Sequence, residues 1–155
     1  MSVYNKTLTD LSAQNIIDCT HNNEGCQGGF PYGGVFEPRG IQAESDYPYE
    51  GTVRRCRFNA DKAIISIDKG TVRGSIMTKD IKEGEALLKS YIPVKGPIAA
   101  VIDGSSDSFK NYKSGVYYNP DCSQEIEDLK HGLLLVGYGS DPKEGDYWIA
   151  VSVLA

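Results

Sequence analysis

His131 is the residue whose type and position best suit acid–base chemistry. It precedes the apolar run Leu133–Val136, which predicts a buried strand that holds the ring at its start. A histidine that is held by a scaffold acts as a general base near neutral pH. The alternative interpretation is a partly buried ring bonded to a backbone group, which is the more common situation for a lone histidine.

The cysteines allow two kinds of chemistry. Cys19, Cys26, Cys56 and Cys122 form no Cys-x-x-Cys pair. A zinc site at Cys19, His21 and Cys26 is one possibility, but its spacing matches no standard structural pattern. Disulfides are favoured, with weak support from a glycosylation sequon at residues 5–7. The first residues contain no apolar run, so no signal peptide is predicted in this chain. Disulfides indicate an oxidising compartment, and the two observations agree if the chain is a fragment of a longer precursor.

Three further segments have simple alternatives to a functional role. Gly28 and Gly29 would let an extended peptide approach the backbone closely, although these two residues taken alone are better explained as a turn. Gly137-x-Gly139 is too short for a dinucleotide-binding motif. The Asp103–Asp107 segment lacks the ligand spacing of a calcium loop and is interpreted as a solvated turn.

Composition excludes several classes of protein. The chain has 155 residues, which fits one domain, and 40% of them are apolar. Its longest apolar run is far shorter than the roughly 20 residues of a membrane-spanning helix, so no membrane partner is expected. The net charge of −5 and the scattered basic residues argue against a nucleic-acid partner.

Periodicity and capping predict the elements that position these residues. Ser12 is a candidate cap for a short helix whose apolar face contains Ala13, Ile16 and Ile17. The glycine-rich segment His21–Phe36 is predicted to consist of turns.

A second, amphipathic helix is predicted over Glu83–Ile92, ending before Pro93. Its inward side chains are predicted to be Leu87, Leu88, Tyr91 and Ile92. Ser106 is predicted to cap one helical turn around Phe109.

Several short segments have the composition of strands. They are Ala63–Val72, Ile98–Ile102, Val116–Tyr118, Leu133–Tyr138 and Tyr147–Val151. The last two are predicted to form a hairpin, separated by Gly137, Gly139 and a turn at Asp141-Pro142. Helices come first and strands later, which indicates an α+β architecture.

Together these segments resemble the papain-like cysteine peptidases, and the cathepsin L group most closely. The blocks occur in the family's order across nearly the whole chain. Leu11–Cys19 resembles "LSEQNLVDC", Gly25–Gly29 resembles "GCNGG", Gly40–Tyr49 resembles "GIxSExxYPY", Gly96–Asp103 resembles "GPISVAID", His131–Gly139 resembles "HAVLVVGYG", and Tyr147–Ile149 resembles the start of "YWIVKNSWG".

The resemblance implies an incomplete papain-like α+β fold, with part of the helical half and most of the barrel-like half. Residues 1–155 would be a single partial peptidase domain. His131 would be the catalytic histidine that activates a cysteine thiolate. The implied substrate-binding positions are Gly28, Gly29, Phe30, Pro31, Val101, Leu129 and Gly132.

The resemblance also assigns the cysteines and the partners. Cys19 and Cys56 match a disulfide pair, whereas Cys26 and Cys122 would be unpaired thiols, because their partners' positions fall outside the chain. No metal or organic cofactor is implied. The expected partners are a peptide or protein substrate and a propeptide-like inhibitor, and the expected location of the parent protein is lysosomal or secreted.

Departures from the family pattern lead us to expect that this chain alone is inactive. The nucleophile block lies roughly 130–150 residues before the histidine in this family, and the 155 residues do not contain it. Ser152 stands where the family has the orienting asparagine, and a serine is expected to be too short to hold the imidazole in the same way. Lys130 stands beside His131 and is expected to disfavour the imidazolium.

Three functional hypotheses remain. The first is part of a cathepsin L-like endopeptidase. The second is a non-catalytic homologue that binds peptides, inhibitors or another peptidase. The third is an aberrant gene product with no stable fold.

Overall fold

The computed structural model describes residues 8–31, 40–66 and 80–152. The chain divides into two compact units, Met1–Gly74 and Ser75–Ala155. The sequon, the end of the glycine-rich segment and the end of the predicted strand Ala63–Val72 lie outside the described residues. Within the described part of the chain, no helix is long and apolar enough to cross a membrane.

The N-terminal unit begins with helix α1, Ala13–Cys19. Ser12 caps it as predicted, because its hydroxyl accepts the Asn15 N–H at 2.9 Å. The apolar face of Ala13, Ile16 and Ile17 is not the buried face, since Ala13 is exposed and both isoleucines are half-buried, while Gln14 and Asn15 are fully buried. These amides are buried because they bond the backbone of surrounding segments, and the Asn15 side-chain oxygen accepts the Gln42 N–H at 3.0 Å.

Two short antiparallel strands complete this unit. Strand β1, Gly40–Gln42, pairs with β2, Ala63–Ser66, which begins at the residue that the sequence predicts. Single 3₁₀ turns occupy Gly25–Gln27 and Ala60–Lys62.

The C-terminal unit contains a three-stranded antiparallel sheet in the order β3-β4-β5. Its elements are helix α2 at Ile81–Lys95, β3 at Ile98–Ile102, helix α3 at Asp107–Lys110, a 3₁₀ turn at Ile126–Asp128, β4 at His131–Asp141 and β5 at Gly145–Val151. Ser106 caps α3 as predicted, through a 3.2 Å hydrogen bond from the Phe109 N–H.

Helix α2 is longer than predicted at both ends. Asp80 caps its start, and the helix passes through Pro93 before Gly96 ends it with φ of +94°. Pro93 is tolerated because it lies in the last turn, where its missing N–H removes one bond and the Gly96 N–H still reaches the Ile92 carbonyl at 3.0 Å. The predicted inward set is wrong in part, since Ile92 is buried and Leu88 half-buried, while Leu87 and Tyr91 are exposed.

Two other predictions for this unit need correction. Val116–Tyr118 forms no strand, because the Tyr117 ring packs on Phe109 with its hydroxyl within 2.9 Å of Ser106. Gly137 and Gly139 lie inside β4 and do not separate the hairpin strands. A Cβ at Gly139 would lie 2.5 Å from the Tyr147 hydroxyl, so the glycine makes room for the tyrosine on the neighbouring strand.

Candidate active site

His131 is held at the start of β4, as its place before the apolar run predicts. It pairs with Ile102 of β3. The Phe109 ring meets the imidazole edge-on, with ring centroids 5.4 Å apart. A Cβ built on Gly104 would lie only 2.6 Å from the His131 Cβ, so the loop that follows β3 packs directly against the histidine. Sequence analysis identified Phe109 as a helical residue but did not place Phe109 or Gly104 beside the histidine.

Ser152 contacts the imidazole, which corrects the expectation that a serine is too short. Its Oγ lies 2.5 Å from His131 Nε2. The contact follows from strand register, because β5 pairs with β4 at Val151 opposite Leu134 and so ends beside the start of β4. Within the described residues, the His131 ring makes this one hydrogen bond, through Nε2, and its Nδ1 atom has no protein partner.

Lys130 directly precedes the histidine, and its charge acts on the carboxyl group of Asp103. Its backbone N–H donates to the Ile102 carbonyl at 3.1 Å, and its side chain is exposed. The pKa of the Asp103 carboxyl is lowered, mainly by hydrogen bonds from the side chain and backbone of Ser105, then by the Ser123 N–H and the charge of Lys130. The effect of Lys130 on the imidazolium stays a prediction.

The proposed pocket positions of the C-terminal unit lie next to His131. Val101 of β3 pairs with Gly132, which directly follows the histidine. Leu129 ends the 3₁₀ turn two residues before the histidine. These positions therefore share one end of the sheet with His131.

The Gly28–Gly29 segment belongs to the N-terminal unit and presents an open backbone. Phe30, which follows the two glycines, is bonded to the side-chain amide of Asn23. This amide donates to the Phe30 carbonyl and accepts the Phe30 N–H, each at 3.1 Å. Gly28 is bonded on both sides, to the Gly25 carbonyl and the Glu24 N–H. Within the described residues, the N–H and C=O of Gly29 have no protein partner. Phe30 and Pro31 are exposed beside them.

The cysteines separate into a bonded pair and two thiols. Cys19 and Cys56 form a disulfide, as the resemblance implies. This bond removes the zinc alternative at Cys19, His21 and Cys26, because a disulfide sulfur is not a thiolate ligand. Cys26 and Cys122 are exposed free thiols. Over the described ranges, no group of side chains is arranged to hold a metal ion.

Comparison with known proteins gives one consistent result. A family model described as "Papain family cysteine protease" matches residues 1–152. A protein named "Cathepsin L-like" from Caenorhabditis elegans is 44% identical over 150 residues, covering 92% of this chain and 41% of that protein. "Cathepsin 7" from Rattus norvegicus is 39% identical, covering 92% of this chain and 42% of that protein.

A solved structure shares the fold. The digestive procathepsin L 3 of Tenebrio molitor larval midgut matches with a TM-score of 0.77 and 35% identity, covering 95% of this chain and 46% of that one. The chain thus spans about two fifths of the length of the curated relatives above. The expected α+β, papain-like architecture is confirmed, in an incomplete form without a closed barrel in the described residues. The chain belongs to the papain family of cysteine proteases, and its relatives include cathepsin L-like proteins.

Proposed function

We propose that this chain is part of a cathepsin L-like cysteine endopeptidase in which His131 is the general base. The observation that carries the proposal is the fixed ring, which is bonded at Nε2 and open at Nδ1. In that role, Nδ1 takes the proton of a cysteine thiol, and the resulting thiolate attacks the peptide carbonyl carbon. The imidazolium then returns the proton to the leaving amine.

The nucleophile is assigned to a cysteine outside these 155 residues. Cys19 and Cys56 are joined to each other. Cys26 and Cys122 are exposed thiols, and the resemblance places them at disulfide positions of the family and not in a nucleophile block. The 155-residue polypeptide is therefore proposed to be inactive by itself.

Substrate binding is proposed at the unpaired backbone of Gly29. An extended peptide can pair with a free N–H and C=O, and the neighbouring Gly28 has no side chain to obstruct it. The other substrate-binding positions are proposed from the resemblance, for each unit by itself: Phe30 and Pro31 in the N-terminal unit, and Val101, Leu129 and Gly132 in the C-terminal unit.

The wider context is proposed from the same match. Residues 1–155 are treated as one partial peptidase domain, because the family match is continuous over residues 1–152. The disulfide fits a lysosomal or secreted parent protein. Relatives named procathepsin L support a propeptide-like inhibitor as a partner. No cofactor is proposed.

A peptidase assay tests this proposal. The natural polypeptide that carries this sequence should hydrolyse a fluorogenic peptide, and a thiol-directed epoxide should block the reaction. His131→Ala should abolish turnover, whereas His21→Ala, the matched control, should retain it. Retained activity in His131→Ala would contradict the assignment, and epoxide-sensitive hydrolysis by the 155-residue chain alone would contradict its proposed inactivity.

The second candidate is a non-catalytic homologue that binds peptides. The open backbone of Gly29 and the exposed Phe30 ring, with 56% of its surface accessible, favour this alternative. It predicts saturable peptide binding by the 155-residue chain and no epoxide-sensitive turnover by any natural form. Turnover by a natural form would exclude it.

A further inference from the structure

We propose that Arg55 is a cleavage site for an arginine-specific endopeptidase, which converts the chain into two fragments that the Cys19–Cys56 disulfide keeps together. The site belongs to a group of three closely spaced arginines, Arg54, Arg55 and Arg57. It lies in the N-terminal unit, so the inference goes beyond the proposed function and does not depend on the role of His131.

The segment around the site is accessible. Residues 48–57, here called the arginine loop, are exposed without interruption and form neither a helix nor a strand. A peptidase binds its substrate as an extended segment, and a run of this length can fill its cleft. Val53, two residues before the site, has 51% of its surface accessible. Exposed, irregular segments of this kind are those that peptidases cut in folded proteins.

The backbone at the proposed site is unpaired, although its two flanks are held. The Arg54 N–H donates to Asp18 Oδ1 at 2.7 Å, and the Arg57 N–H donates to the Tyr47 hydroxyl at 3.1 Å. Within the described residues, neither Arg55 nor the cysteine after it uses its backbone N–H or C=O in a hydrogen bond. A peptidase can therefore pair with the backbone at this bond without first breaking a contact of the fold.

The side chains distinguish Arg55 from the other two arginines. Arg54 Nε lies 3.1 Å from Glu50 Oε2, and Arg57 bonds the other oxygen of the same carboxylate. Arg57 also lies over the Tyr47 ring, 4.8 Å from its centroid. Over the described ranges, Arg55 has no ion pair or hydrogen bond. Its guanidinium can therefore enter the acidic pocket by which such peptidases select a basic residue without leaving a partner behind.

Cleavage leaves the two fragments joined. Hydrolysis adds one water molecule across the Arg55–Cys56 amide bond, with the hydroxyl going to the Arg55 carbonyl carbon and the hydrogen to the Cys56 nitrogen. The disulfide still joins Cys56 to Cys19. The two backbone anchors lie on opposite sides of the cut and both remain. The Glu50 carboxylate bonds one arginine of each fragment, so we expect the cut chain to keep its fold.

The test is limited digestion of the disulfide-intact 155-residue chain with an arginine-specific endopeptidase. The sequence contains five arginines, of which Arg39 and Arg73 lie outside the described residues. Replacing both with glutamine leaves the three arginines of the arginine loop as cleavage sites, and the unsubstituted chain is digested in parallel. In both chains we expect a cut after Arg55, which mass spectrometry identifies from fragments 1–55 and 56–155 where the two outer arginines are replaced. Non-reducing electrophoresis should then show one band, and reduction should separate it into two.

Three variants identify the residue that the peptidase recognises. Arg55→Gln should lower the initial rate of cleavage in the arginine loop by at least about a hundredfold, because the acidic pocket then lacks a charged partner. Arg54→Gln and Arg57→Gln are the matched controls and should still be cut after Arg55.

The proposal is overturned by a first cut in the loop after Arg54 or Arg57, by equal rates in the parent and Arg55→Gln, or by a loop that stays uncut while an unfolded peptide of the same sequence is cut. Fragments that separate without reduction would also overturn it. Because the digestion needs no activity of this chain, this proposal can fail while the assignment of His131 as the base stands. Loss of that assignment in the peptidase assay would equally leave the digestion result unaffected.

Discussion

Replacement of Asp18 should destabilise the chain strongly, because this carboxylate organises the N-terminal unit. Its side chain is 0% exposed. Oδ1 accepts the Gln14 Nε2–H and the Arg54 N–H, each at 2.7 Å. Oδ2 accepts the Tyr47 hydroxyl at 2.7 Å. One side chain thus joins α1 to the segment that leads to the disulfide.

The size of the effect follows from what each substitution leaves behind. Asp18→Ala removes the acceptor of all three donors, and a donor left unsatisfied costs about 1–3 kcal/mol. Because some of the donors will recover water, we expect a total loss of about 3–5 kcal/mol in the free energy of unfolding. Asp18→Asn keeps one oxygen for two donors, and the Tyr47 hydroxyl can turn to accept, so its loss should be about 1–2 kcal/mol.

Urea unfolding at neutral pH, followed by far-UV circular dichroism, measures both losses. The control is Asp107→Ala, whose parent side chain is 95% exposed with a 3.8 Å ion pair to Lys110, and it should change stability by less than about 0.5 kcal/mol. A loss below about 1 kcal/mol in Asp18→Ala would refute the reasoning, since the network would then contribute no more than a surface pair.

The Asp18 carboxyl should also make the free energy of unfolding depend on pH in the acidic range. Burial raises the pKa of this carboxyl, but hydrogen bonds from the Arg54 N–H, Tyr47 and Gln14 and the charge of Arg57 outweigh burial, so the pKa is lowered. A carboxyl with a lowered folded-state pKa stabilises the fold fully above its unfolded value of about 3.9 and loses that contribution as the pH falls through the folded value. The stability advantage of the wild type over Asp18→Asn should therefore shrink below about pH 4, and an advantage that grows on acidification would contradict the assignment.

Two further predictions concern the disulfide and the packing around the histidine. The double substitution Cys19→Ala and Cys56→Ala opens a loop with a sequence separation of 37 residues. It should lower the free energy of unfolding by about 4 kcal/mol, because the unfolded chain gains conformational entropy. A loss below about 1 kcal/mol in urea unfolding would contradict this prediction. Gly104→Ala should cost about 1–3 kcal/mol and shift the His131 ring signals in NMR, because its Cβ would lie 2.6 Å from the His131 Cβ. Gly132→Ala is the matched control, since its Cβ would meet no atom within 4 Å, and equal effects of the two substitutions would contradict the packing argument.

Local signals were sufficient where a short stretch of chain determines the structure. The caps at Ser12 and Ser106 were predicted correctly, because each cap depends only on residues within one turn. The family blocks identified the fold and the disulfide for a different reason, since their order carries long-range information that no single element contains.

Predictions failed where contacts with residues distant in sequence determine which side chains are buried. The inward face of α1 is polar because Gln14 bonds the Glu50 N–H and the Thr52 carbonyl, which lie far along the chain. Tyr117 was assigned to a strand on β propensity, but its ring and hydroxyl pack on helix α3.

The contact between Ser152 and His131 has the same origin. A side chain's reach cannot be judged from its own length when strand register decides where its backbone lies. The offset of β5 against β4 was visible only in the structure. The departure from the family pattern at position 152 stays a prediction, whereas the contact of this residue with the ring follows from the register of β5 on β4.

The most direct test of the central claim is activity-based labelling of the natural polypeptide with a thiol-directed epoxide, followed by peptide mass spectrometry. The account predicts that one labelled polypeptide contains peptides of this sequence and carries the epoxide on a cysteine other than Cys19, Cys26, Cys56 and Cys122. An unlabelled natural polypeptide, or an epoxide attached to Cys26 or Cys122, would contradict the assignment of this chain to a thiol endopeptidase with His131 as its base.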